Sequence, residues 1–469
     1  MTASPVYVST RGRAPALGFA DTMLTGLARD GGLYVPAEVP RMPAAEIAAL
    51  AGLPYEEVAL RVIAPFVGDA FTETELAGAI ERAYAGFGHR ARAPLAQLDA
   101  GHFLLELFHG PTLAFKDFAM QLIGQLFELE LRRRGERVTI VGATSGDTGS
   151  AAIEAFGGRE AVDVFILFPE GRVSEVQRRQ MTTPAAANVH ALAIAGDFDA
   201  AQARVKDMFN DFAFRDSVRL AGVNSINWGR VLAQVVYYFH AAVALGAPHR
   251  KVSFTVPTGN FGDIFAGFIA RQMGLPIERL VIATNRNDIL HRCMETAAYT
   301  RQGVVPSTSP SMDIEVSSNF ERALYWAHGK DPAVICGLMD DLGGSGGFRL
   351  SENAMAALRQ VYDSGRSDEA LTSETIARTF AETGELLCPH SAVGVAVASR
   401  HLQHNPATPM ITLATAHPAK FPDAVQAATG IRPALPARMA DLFDRPERVT
   451  PVPDDLAAIE ALIRERTAA

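Results

Sequence analysis

An α/β protein with a mostly helical N-terminal region is what this sequence predicts, and three observations carry that expectation. Short apolar runs alternate with longer amphipathic stretches from about residue 95 onward. Several of the short runs are apolar throughout rather than at every second residue, as in parallel strands covered on both faces. Gly-rich turns join several of them to the helices that follow, which places candidate ligand sites at the carboxyl ends of strands.

The elements follow in chain order. From about Ala44 to Tyr84 the pattern AAEIAALAGLPYEEVALRVIAPFVG, then TETELAGAIERAYAGF, is Ala-rich and helical, and this region ends near Pro94. Strands are expected at 102–108, 137–143, 162–168, 188–194, 251–257, 279–284 and 409–415. Helices are expected at 116–134, 147–156, 197–213, 226–245, 263–273 and 421–429. The stretch 300–350 carries little periodicity, and its GGSGG reads as a flexible surface loop.

Length and charge narrow the function. A chain of 469 residues, 48% apolar and 20% charged, buries a large core without staples. With 43 basic against 52 acidic residues the net charge is −9, a poor basis for non-specific nucleic-acid binding. Three scattered cysteines (Cys293, Cys336, Cys388) without a CxxC pair read as reduced thiols. No apolar run suits a signal peptide or a membrane span, so a soluble, cytoplasmic protein is expected, with no membrane partner.

Four strand ends carry candidate chemistry. In HFLLELFHGPTLAFKDFAMQL, Lys116 falls in the first turn of a helix, where the dipole disfavours a cation, beside the apolar Phe115 and Phe118. Both effects favour the neutral, nucleophilic amine, although a lone lysine so placed also suits simple snorkelling. In TIVGATSGDTGSAAIEAF, backbone amides and the hydroxyls of Thr144, Ser145 and Thr148 form an anion-binding nest at a helix start. No GK[ST] follows, so it is not a P-loop. The single DTGS in α/β surroundings is no aspartic protease, which needs two apposed carboxylates.

In SFTVPTGNFGDIFAGFIARQ, Gly259 and Gly262 let backbone approach a phosphate. In PMITLATAHPAKFPDAV a strand ends at Thr415, before His417 and Lys420. A plain structural role is open for each of these turns and for the lone His417. Two anion sites with a helix-start lysine point to a phosphorylated cofactor and a separate acidic substrate.

Taken together, YVSTRG (7–12), GLARDGGLYVP (26–36), HGPTLAFKDFAMQ (109–121), ATSGDTGSAA (143–152), NSINWGR (224–230), PTGNFGD (257–263), SSNFER (317–322), PHSAVG (389–394) and AHPAKFPDAV (416–425) resemble the threonine synthases of the longer bacterial and fungal subgroup. The one departure is Ser391, where a Thr is expected and a hydroxyl is kept. The resemblance implies fold type II pyridoxal-phosphate architecture with two α/β sheet domains. It implies divisions at 1–95 (mostly helical), 96–225 (smaller α/β domain) and 226–469 (larger α/β domain).

The implied cofactor is pyridoxal 5'-phosphate and the implied substrate O-phospho-L-homoserine. The activity is that of a carbon–oxygen lyase of threonine biosynthesis, forming L-threonine and phosphate by γ-elimination and β-addition of water. Lys116 matches the family's Schiff-base lysine, which is freed by the substrate to act as general base. Phe115 adjoins it. Gly259, Asn260, Phe261, Gly262 and Asp263 match the loop around the cofactor phosphate, and Thr415 matches the hydroxyl facing the ring nitrogen. Asp147 takes the position near the phenolic oxygen. Thr144, Ser145 and Thr148 are placed for substrate oxyanions. Asn224, Ser225 and Arg230 resemble the substrate-phosphate anchor, an Arg fork suiting a dianion. The subgroup implies a monomer and no metal.

Two other readings stay open. A dehydratase-like relative needs no second phosphate site, so Arg230 and its neighbours discriminate. A catalytically silent phospho-ligand binder would not need Lys116.

Overall fold

The computed structural model describes residues 4–196 and 198–467. Every strand expected above forms, and two parallel sheets organise them. One has six strands, in the order Tyr362–Arg366, Ile277–Thr284, Val252–Pro257, Met410–Ala414, His102–Glu106 and Leu95–Asp99. Only the last pairing is antiparallel. The other has five strands, all parallel, in the order Thr450–Val452, Val189–Ile194, Val162–Pro169, Val138–Ala143 and Leu220–Ala221. Every residue of Val162–Pro169, Val252–Pro257 and Met410–Ala414 is buried, which is why those runs are apolar without alternation.

These pairings redraw the expected divisions at 95/96 and 225/226. His102–Glu106 lies between Met410–Ala414 and Leu95–Asp99, with Met410 opposite His102, so it belongs to the six-stranded sheet. Thr450–Val452 pairs with Val189–Ile194, and the helix Leu456–Arg466 packs on the five-stranded side. Each sheet therefore draws on chain from both sides of the boundaries. Nor is the N-terminal region separately cored. Its helices Tyr55–Val67 and Glu73–Tyr84 share one hydrophobic cluster with the helices Lys116–Arg134 and Trp228–Ala244. Tyr55, Tyr84 and Phe118 pack ring on ring at the seam. Glu73–Tyr84 starts at a capping box, in which Thr72 accepts from the Glu75 amide and Glu75 accepts from that of Thr72.

The helices observed are Lys116–Arg134, Asp147–Phe156, Trp228–Ala244, Gly262–Met273 and Pro422–Thr429, close to expectation. The single helix expected at 197–213 is instead Phe198–Asn210, followed by Phe212–Ser217 on an Asp211 cap. The GGSGG segment is not a flexible loop. Gly343 and Gly344 end the helix Pro332–Gly344, and Gly347 starts the strand Gly347–Arg349, paired with Ala298–Thr300. A Cβ on Gly347 would lie 2.7 Å from the Tyr299 carbonyl oxygen, so close strand approach explains the glycine. Among the described residues no helix is long and apolar enough to cross a membrane.

Candidate active site

Lys116 reaches its place through the turn HGPTLAF. The buried Asp117 side chain folds back on that turn, accepting from the Thr112 amide at 2.8 Å and the Thr112 hydroxyl at 2.6 Å. Any Cβ on Gly110 would fall 2.4 Å from Asp117, so this position needs a glycine. The Phe115 amide donates to the Thr415 carbonyl at 2.8 Å, which ties the helix start to the end of Met410–Ala414. Lys116 and Thr415 thus border one cavity of about 580 Å³, within the range of small-molecule sites.

Lys116 is 8% exposed, and its Nζ lies 5.3 Å from the Phe115 ring centre. Burial lowers its pKa. Asp147 opposes that shift, while Lys420 and Arg230 add to it, and the net direction is downward.

Asp147 opens the helix Asp147–Phe156 and is buried in the cavity wall. Its Oδ1 accepts from Lys420 Nζ at 2.7 Å and Gln177 Nε2 at 3.0 Å. Its Oδ2 lies 3.2 Å from the Ser311 hydroxyl and 3.4 Å from Lys116 Nζ. Burial alone would raise its pKa, but Lys420, then Lys116 and His390, outweigh burial and hold it well below 3.8. In the preceding turn, the Thr144 hydroxyl accepts from the amides of Gly146 and Gly149, both at 2.9 Å. Thr144 therefore braces the turn with its oxygen while bordering the cavity beside Ser145 and Thr148.

The second turn is held from outside. Asn319 donates through its amide and side chain to the Asn260 carbonyl, and Ser317 donates to that of Gly259. Phe261 adopts the left-handed conformation (φ 65°), a strain of about 1–3 kcal/mol, with its ring packed against Phe320 and Tyr362. The amides of Asn260, Phe261, Gly262 and Asp263 donate to no acceptor among the described residues. They open the helix Gly262–Met273, where the dipole favours an anion. The Asp263 carboxyl turns instead to the Tyr237 and Tyr238 hydroxyls, leaving Oδ2 without a partner. Burial pushes it up to about 7.

Arg230 stands on the helix Trp228–Ala244, capped by Asn227. It is 3% exposed, its Nη1 donates to the Val223 carbonyl at 3.3 Å, and its Nε has no partner among the described residues. Burial pushes its pKa down to about 10. It borders the cavity with Asn224 and Ser225. A buried guanidinium lacking a carboxylate partner among the described residues suits an anionic ligand. Pyridoxal phosphate fits these residues: a buried amine, a neutral strand-end hydroxyl and a turn of unpaired amides all face one space.

Every expected site residue borders this cavity. Sequence reading assigned no role to Lys420, His390, Ser311 or Gln177. Lys420 and His390 lie inside AHPAKFPDAV and PHSAVG, so a signal existed there. Ser311 sits in the pattern-poor 300–350 stretch. The hydroxyl at Ser391, where a Thr is expected, accepts from the Thr415 amide at 3.2 Å.

The fold and the cavity define a pyridoxal-phosphate enzyme. A family model described as pyridoxal-phosphate dependent enzyme matches residues 89–416. Models for the threonine synthase N terminus and C-terminal part match 6–84 and 391–463. The chain is 54% identical to the threonine synthase of Pseudomonas aeruginosa over 98% of both chains. The solved structure of PLP-bound threonine synthase from Brucella melitensis superposes with a TM-score of 0.96 at 57% identity, covering 99% of this chain and 100% of that one. That of threonine synthase from yeast gives 0.93 at 37%, covering 99% of each. The chain belongs to the threonine synthase family.

Proposed function

We propose that this chain converts O-phospho-L-homoserine and water to L-threonine and phosphate. The observation that carries the reading is Arg230. A second buried anion site, distinct from the Gly259–Asp263 turn, borders the cavity that holds Lys116. A dehydratase-like relative has no use for it.

Pyridoxal phosphate, when bound, supplies the electron sink for carbanion chemistry. Lys116 would hold the cofactor, and its amine, biased toward neutrality, is suited to take the proton from the substrate α-carbon. The amides of Gly259 to Asp263 would hold the cofactor phosphate, and Thr415 would offer the ring nitrogen a neutral hydroxyl. Asp147, its charge offset by Lys420, would face the phenolic oxygen. Ser145, Thr148 and the Thr144 region receive the substrate carboxylate. Arg230, with Asn224 and Ser225, grips the substrate phosphate and stabilises it as it leaves.

Free, scattered cysteines support a cytoplasmic site of action, and the likeness to the longer threonine synthases supports a working monomer. No nucleic acid or membrane takes part in this reading.

The test is product formation from O-phospho-L-homoserine, set against L-serine and L-threonine as substrates. Threonine and phosphate should appear in equal amounts from the phosphoester. Turnover of serine or threonine alone would overturn the assignment.

A further inference from the structure

We propose that Lys420 is a positioning residue for Lys116: it takes up the charge of Asp147, so that the Lys116 amine is left without a full counterion and stands neutral to react. The proposal rests on the reading of Lys116 as the reacting amine.

The two lysines meet one carboxylate unequally. Lys420 Nζ lies 2.7 Å from Oδ1, with its side chain entirely buried. Lys116 Nζ lies 3.4 Å from Oδ2, an oxygen also engaged by the Ser311 hydroxyl. Lys420 cannot drift away, because it also donates to the Thr112 carbonyl at 2.8 Å, in the turn that aims Lys116. Were Lys420 absent, Asp147 would be a buried carboxylate whose remaining cation within reach is Lys116. The cost of an unpaired buried charge would then hold Lys116 as an ammonium, which is neither nucleophile nor base.

The other groups around the pair do not replace Lys420. His390 accepts from the Ser311 amide through Nε2, and burial pushes its pKa down to about 4, so it is neutral near pH 7. Arg230 and Asp263 act on Lys116 from the helices Trp228–Ala244 and Gly262–Met273, the first lowering its pKa and Asp263 turned toward tyrosines. Asp117 and His417 also interact electrostatically with Lys420, and Asp117 is committed to Thr112.

The chain has only five lysines, Lys116, Lys206, Lys251, Lys330 and Lys420. Carbon-13 labelling of lysine therefore gives a resolvable NMR titration of the cofactor-free full chain. In Lys420→Met the Lys116 midpoint should rise by about one pH unit or more. Lys420→Arg should leave it near the parent value. Adding Asp147→Asn to Lys420→Met should bring it back, as a coupled pair requires.

If Lys420→Met does not fold, Asp147→Asn alone decides. There the unopposed Lys420 should push the Lys116 midpoint below the parent. In the cofactor-loaded enzyme the acid limb of kcat should move to higher pH with Met and stay in place with Arg. An unchanged Lys116 midpoint in folded Lys420→Met or Asp147→Asn would overturn the proposal. No substrate enters the NMR titration, so it answers even if O-phospho-L-homoserine proves to be the wrong substrate.

Discussion

The turns at 143–149 and 257–263 share one local plan, strand into Gly-rich turn into helix, yet they leave different amounts of anion-binding capacity. In the first, Thr144 consumes two amides and Asp147 places a carboxylate at the helix start. In the second, Ser317 and Asn319 brace the carbonyls from behind, and the amides stay open. Their acids also differ. Asp147 is kept charged by Lys420, while Asp263, among tyrosines, is pushed up to about 7. What a Gly-rich turn can bind depends on how many of its donors the protein has already used. On the function proposed above, the first turn is left for the substrate carboxylate and the second for the cofactor phosphate.

Lys116→Ala breaks the comparison outright, since both turns serve this amine. Turnover should fall by roughly 10³-fold or more. Borohydride reduction of the loaded parent should fix the cofactor to Lys116, and label on another lysine would displace it. Arg230→Ala asks whether a third anion site exists beyond the two turns. It should leave the cofactor spectrum intact while kcat/KM for O-phospho-L-homoserine falls by about 2–4 kcal/mol, or roughly 30- to 800-fold. Inorganic phosphate should inhibit this variant less than the parent.

Gly259→Val tests the open turn. The new Cβ would stand 2.9 Å from the Ser311 carbonyl oxygen. Displacing that segment should weaken pyridoxal-phosphate binding roughly 5- to 150-fold, read by titration into the apo-protein. Unchanged affinity would move the phosphate elsewhere.

Asp263→Asn sharpens the contrast between the acids. The folded chain keeps a proton on Asp263 that the unfolded chain releases, so this contribution to stability is lost as pH rises from about 4 to 7. Relative to the parent, the Asn variant should gain about 1–3 kcal/mol between pH 5 and pH 8 in urea unfolding. Asp147 has the opposite sign. Its contribution is present above its ordinary pKa and is lost only as pH falls far into acid. The smallest effect belongs to Thr144→Val, which frees two amides. It should cost about 1–2 kcal/mol of stability and leave cofactor affinity near the parent value.

The strand ends were legible because their signals are local: a glycine where backbone approaches closely, a hydroxyl at a cap, a fully apolar run between buried faces. Lys116 carried a local signal too, a cation against a helix dipole, but that signal suits snorkelling equally. The role proposed for it came from the family resemblance. The charge balance around it was not legible. Lys420 stands 273 positions beyond Asp147; it follows Met410–Ala414 of the six-stranded sheet while Asp147 follows Val138–Ala143 of the five-stranded one, so the pair meets between two sheets that share no strand pairing. The helix Pro389–His404 escaped reading because Pro389 through Ala398 are buried on every side, leaving no amphipathic stripe. GGSGG misled because close packing and chain flexibility select the same residue.

The edge strand Thr450–Val452 sets a schedule for synthesis. Residues 138–194 leave the ribosome early, yet the sheet they form is completed only by a strand made about 250 residues later, tens of seconds at ordinary elongation rates. Until then Val189–Ile194 presents an unpaired, largely apolar edge to the crowded cell, the kind of surface that recruits chaperones or sticks to its own copies. His102–Glu106 waits longer still, about 300 residues, for Met410–Ala414, and with it waits the wall beneath Lys116. The nascent chain therefore lacks a finished pocket until His390 and Thr415, which line it, have been made.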